Sequence, residues 1–157
     1  MAVHSRWSCS LVALLALWVA PAVGQEVGVT KKVGLGVGSG TKGSLGLTAK
    51  YYLGDDLALL AFVGRNGVRD TAVSLDCVVE PLQAYKHPSG RLHVGGGAGL
   101  AYWGSAGSKH VAVAGIVQVG WQFAALPVEV IADWRPFYEL DDALQMGALG
   151  GALRWFF

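Results

Sequence analysis

The side chains able to do chemistry in this chain are few and widely spaced. Charged residues make up only 15% of its 157 positions. Six of them stand out as one candidate constellation: Lys50, Asp76, Glu129, Asp133, Arg135 and Arg154. Such a mixture of acids and bases could work as a site or as mutually neutralising ion pairs. Charges removed from water are costly unless paired, so a structural salt-bridge network is the expected role. His93 is a second candidate, as a general base with Ser74, Asp76 or Ser105 as partners. That chemistry requires nucleophile and base within hydrogen-bond reach. Cys77 is the one cysteine outside the N-terminal apolar region and is expected to be inert. The stretch VGLGVGSGTKGS, residues 33–44, has the composition of a nucleotide loop. Gly38, Gly40 and Gly43 have G-x-G-x-x-G spacing, but no helical pattern follows them, and G-x-x-x-x-G-K-S/T is not matched, so glycine on a crowded lumen face is the expected reading. No catalytic set, cofactor motif or metal-ligand set is expected.

What must position these residues is a period of two. From Val111 to Phe123, Val111, Val113, Gly115, Val117, Val119, Trp121 and Phe123 share one face. Ala112, Ala114, Ile116, Gln118, Gly120 and Gln122 share the other. Successive strand residues point to opposite faces, so this is the signature of a strand with one apolar side. Residues 128–139 repeat it, with Glu129, Asp133, Arg135 and Glu139 on the polar face. The same alternation runs through residues 91–103, 73–80 and 44–53, and through a first strand from about Val27 to Gly38. Leu57 to Gly64 is apolar on both faces and leaves its register open. Short glycine-, proline- and aspartate-rich breaks separate the runs. With the terminal alternation over residues 148–157, eight up-and-down strands result, and all but 57–64 read small, polar or charged on one face and apolar on the other.

The N-terminus sets the route. His4 and Arg6 precede the apolar run Leu11 to Ala20, then Pro21 and the small-residue exit Ala22-Val23-Gly24. This pattern predicts a secretory signal peptide over residues 1–24 and a single barrel domain over 25–157. After it, no apolar stretch approaches the roughly 18 residues of a membrane helix. An apolar exported chain can still cross a bilayer as a closed β-barrel, which satisfies every backbone group internally. The polar faces are mostly glycine, alanine and serine with a few charges. They are too sparse to coat a soluble barrel but suit a narrow lumen. The apolar faces end in Tyr51, Tyr102, Trp121, Trp134, Tyr138, Trp155 and Phe157, which suit a lipid interface. The fold class expected is all-β: an eight-stranded up-and-down antiparallel transmembrane β-barrel. The formal net charge of +1 lacks any basic block and argues against a nucleic-acid partner.

The terminal Leu153-x-Trp155-x-Phe157 looks like the β-signal read by the barrel-assembly machinery of Gram-negative bacteria. Together with "AKYYLGDDLALLAFVG", "LHVGGGAGLAYW" and "LPVEVIADWRPFYEL", the chain resembles the small eight-stranded outer-membrane proteins of the OmpA/OmpX-like group. The resemblance implies an outer-membrane location after export to the periplasm. It also implies contacts with outer-membrane lipid and the assembly machinery, and a monomeric, non-enzymatic, structural or surface-interaction role. The alternatives are a narrow pore or transport path for a small, apolar solute, and a lipid-modifying barrel enzyme built on His93. The position of His93 at the start of its strand, near the periplasmic end, favours a lumen histidine paired to a carboxylate. Arg154 and Phe156, on the inner face of the last strand, are expected to tolerate Ala better than Trp155 and Phe157 tolerate Ser.

Overall fold

In the computed structural model of the chain, residues 32–66, 70–105, 107–140 and 144–157 are described. The segment expected to be a signal peptide and the start of the expected first strand, through residue 31, lie outside them, as do residues 67–69, 106 and 141–143. Eight strands follow one another: β1 (Val33–Ser39), β2 (Leu45–Tyr52), β3 (Leu57–Asn66) and β4 (Asp70–His87), then β5 (Gly90–Ser105), β6 (Ser108–Phe123), β7 (Val128–Glu139) and β8 (Leu144–Phe156). Each pairs antiparallel with its sequence neighbour, and β1 pairs with β8 to close the barrel. Closure pairs the first strand with the last, so neither is left as an open sheet edge. The end at which β1 begins and β8 ends is termed the base, and the opposite end the top.

The alternation read in the sequence is the alternation of burial. Along β7 the even-numbered Val130, Trp134 and Tyr138 are exposed, while Glu129, Ile131, Asp133, Arg135, Phe137 and Glu139 are buried. In β3 the register is set by Ala58, Leu60 and Phe62 pointing inward. Leu60 packs with Val78 and Ile116, so this wall of the lumen is apolar and both faces of β3 read alike. Strand β4 is longer than the alternation over 73–80 predicts, because its pairing with β5 shifts register between Val79 and Leu82 and again between Leu82 and Tyr85. Pro81 stands inside that bulged stretch, where a residue without an N–H is tolerated and the period of two is lost.

The strands are staggered. Stepping from partner to partner round the barrel starts at Glu129 and passes Arg154, Gly36, Thr48, Phe62, Ser74, Ala101 and Ala112. It returns to β7 at Glu139, ten residues further along. Such a stagger obliges the strands to tilt against the barrel axis. It also decides which inward side chains share a height. Glycines on the inner face supply the room: a Cβ at Gly95 would lie 2.7 Å from Glu80 Cγ, and one at Gly34 would lie 2.8 Å from the Phe156 ring.

Candidate functional site: the charged lumen

The inward side chains form three layers. At the base, Lys50 Nζ lies 2.6 Å from Glu80 Oε1 and 2.7 Å from Glu129 Oε1. Arg154 Nη1 donates to the other oxygen of Glu129 at 3.0 Å, and its Nε and Nη2 reach Thr48 Oγ1 at 3.2 and 3.1 Å. Tyr52 donates its hydroxyl to Glu80 Oε2 at 2.8 Å, and Gln118 Nε2 donates to Glu80 Oε1. His93 is wedged between the two glutamates, with Nε2 3.1 Å from Glu129 Oε1 and Nδ1 3.6 Å from Glu80 Oε1. Lys50 and Glu129 are fully buried. Beside this layer Tyr52, Ala58 and Phe156 form an apolar cluster, with the Tyr52 and Phe156 rings 6.0 Å apart.

In the middle layer Arg135 holds Asp133 with two nitrogens, Nε to Oδ1 and Nη2 to Oδ2, each at 3.3 Å. Its Nη1 donates to Asp76 Oδ2 at 2.9 Å, which also accepts from Ser74 Oγ at 3.2 Å. A guanidinium can serve both acids because its donors are set in a planar fork. At the top, Lys42 Nζ lies 2.7 Å from Glu139 Oε1 and 4.7 Å from the centre of the Trp103 ring. Trp103 stacks on His110 and meets Phe137 edge-on. Phe62, Ala72, Ala101, Ala112 and Ala114 complete this apolar layer. Lys42 has a left-handed backbone, φ 59°, in the one-turn 3-10 helix Thr41–Gly43, which brings its side chain over the opening.

The six residues named from the sequence thus fall into two groups, Lys50–Glu129–Arg154 and Asp76–Asp133–Arg135. His93 meets Glu80 and Glu129. Of its anticipated partners, Ser74 and Asp76 instead belong to the Arg135 layer. Glu80, Tyr52, Gln118 and Lys42 were not included in the constellation. Glu80 was detectable, since it lies four residues beyond Asp76 on the same inner face. Gln118 was hidden by its neutrality, and Tyr52 by reading as one more apolar residue. Oxygens of Glu80 and Glu129 and a ring nitrogen of His93 all lie within 4.8 Å of one another, a set that could hold a metal ion.

Leu153, Trp155 and Phe157 are exposed on the outer face, as is Cys77. The greater tolerance expected for Arg154 and Phe156 does not fit the structure. Arg154 is 1% exposed, with Glu129 and Thr48 as partners, and Phe156 is 0% exposed, so both are embedded in packed surroundings.

One solved structure similar to this fold is the N-terminal β-barrel domain of Pseudomonas aeruginosa OprF. The TM-score is 0.54 at 16% identity, covering 80% of this chain and 98% of that one. The likeness is one of fold, in agreement with the small-barrel resemblance of the sequence. No family model matches the chain, and no curated protein matches it.

Proposed function

We propose that this chain is an integral outer-membrane β-barrel with a non-enzymatic, structural role, inserted as a monomer after export through its signal peptide. The observation that carries the reading is the inverted distribution of polarity. Lys50, Glu129 and Arg154 are enclosed, while Leu45, Leu47, Leu100, Leu149 and Leu153 are each half or more exposed on the outside. An outer face of this kind is stable in lipid and is a liability in water. Aromatic Tyr51, Tyr138, Trp155 and Phe157 on the same face suit the bilayer interface. The fold likeness to the OprF barrel domain supports the same reading.

The lumen favours a plug over a pore. Eight strands enclose a space that side chains can fill, and here three layers of them do so. Expressed in a Gram-negative host, the protein is expected in the outer-membrane fraction as a species that migrates compactly on unboiled gels. Purified in detergent and added to a planar bilayer, it should give no single-channel currents. Recovery as a soluble protein would overturn the membrane reading, and steady unitary currents would replace the plug with a transport path.

A further inference from the structure

We propose that Glu80, His93 and Glu129 form a binding site for a divalent transition-metal ion such as Zn2+, and that the ammonium of Lys50 competes for the same place. The site goes beyond the structural role and does not depend on it. Three observations carry it.

First, the donor atoms converge. Glu80, His93 and Glu129 each offer an atom within 4.8 Å of the others, and all three residues are at least nine-tenths buried. One imidazole with two carboxylates is a ligand set for first-row divalent ions, whereas all-oxygen cages suit calcium and magnesium. Three protein ligands with one position left over is a common arrangement for zinc.

Second, the set has unused capacity. Neither ring nitrogen of His93 makes an aligned hydrogen bond, although Nε2 lies 3.1 Å from Glu129 Oε1, and the Oε1 of Gln118 is buried without a partner. Such orphans are rare in a packed interior and call for a ligand or another explanation. Gln118 already touches Glu80 through its Nε2, so its free oxygen lies beside the same cluster.

Third, the carboxylates are oriented from behind. Glu80 spends Oε2 on the Tyr52 hydroxyl and turns Oε1 to the centre, while Glu129 spends Oε2 on Arg154 and also turns Oε1 to the centre. Outer partners of this kind fix metal ligands in place. At that centre sits the Lys50 ammonium, a compact cation with both inner oxygens within 2.7 Å. A metal entering here displaces it from the oxygens, and the Tyr52 ring, 4.6 Å from Nζ, leaves it a second contact.

The test is a Zn2+ titration of the metal-free full-length barrel in detergent, followed by calorimetry. Lys50→Met should bind one Zn2+ per chain at least about tenfold more tightly than the parent, since the competing charge is gone. His93→Gln should abolish binding in either background, and Tyr52→Phe should weaken it by about 10–100-fold. Zn2+, but not Ca2+, should raise the unfolding temperature of Lys50→Met and leave that of the Lys50→Met, His93→Gln double variant unmoved. Should Lys50→Met not assemble, the parent and His93→Gln decide the matter by the same titration: one-to-one binding in the parent, lost in the variant, sustains the proposal. Equal affinity of Lys50→Met and parent, absence of binding in the parent when it alone can be measured, or binding that survives His93→Gln overturns it. The last outcome would assign the metal to one of the barrel ends, where His87 (base) and His110 (top) lie.

Discussion

The base and the middle of the lumen solve one problem differently. At the base two cations, Lys50 and Arg154, face two carboxylates, and all four carboxylate oxygens are engaged. In the middle a single cation, Arg135, serves two acids, and Asp76 Oδ1 is left buried without a partner. The base is balanced and over-connected; the middle hangs on one side chain. The base has links to spare but no charge to spare, whereas in the middle every link runs through one shared cation.

Breaking that shared cation is the severest test of the contrast. Arg135→Ala leaves Asp76 and Asp133 buried with no counter-charge and should cost about 3–5 kcal/mol or more. Its compact form on unboiled gels should be lost at a clearly lower temperature than for the parent. If the transition does not move, the middle layer is hydrated and the contrast disappears.

The last strand gives the next largest effects, on two different readouts. Phe156→Ala empties a fully enclosed position beneath Gly34 and should cost about 3–5 kcal/mol in thermal stability. Trp155→Ser with Phe157→Ser removes outward anchors worth about 1–3 kcal/mol each, and also the assembly handle that the sequence resemblance implies. The double variant should therefore lose membrane-embedded yield in cells out of proportion to its melting temperature. Equal assembly with the parent would show that this face does not meet lipid.

A charge-cancelling change sharpens the contrast. Asp76→Asn removes the surplus negative charge of the middle while keeping an acceptor for Arg135, and should change stability by less than about 1 kcal/mol. Glu129→Gln, at the balanced base, leaves Lys50 with Glu80 but Arg154 without a carboxylate, creating a surplus buried positive charge, and should be markedly worse. A reversed ranking in thermal melts would place the charge imbalance at the base. The smallest effect is expected at the top, where Lys42 is partly open to solvent: Lys42→Ala should cost about 0–1 kcal/mol.

Alternation made the facing of nearly every described strand residue legible in the sequence, because oil and water sort side chains at each step. Heights were not legible. Asp76 and Arg135 meet, and Glu129 meets Lys50 and Arg154, because of the ten-residue stagger, and nothing in a single strand encodes that shift. Leu57 to Gly64 was opaque since its inward side chains meet an apolar wall. Residues beyond Glu80 in β4 were opaque since the bulges around Pro81 erase the period. His93 was visible as a titratable group, but its neighbours come from β4 and β7, and only closure brings them together.

The base cluster draws Lys50 and Tyr52 from β2, Glu80 from β4, His93 from β5, Gln118 from β6, Glu129 from β7 and Arg154 from β8. A chain folded only as far as β6 has Lys50 and His93 sharing one glutamate, Glu80. The final hairpin delivers the second carboxylate and the second cation in a single move, at the moment when β8 finds β1. The cluster therefore acts as a latch on the seam: a barrel closed out of register, or one strand short, would trap unpaired charge in its interior and reopen.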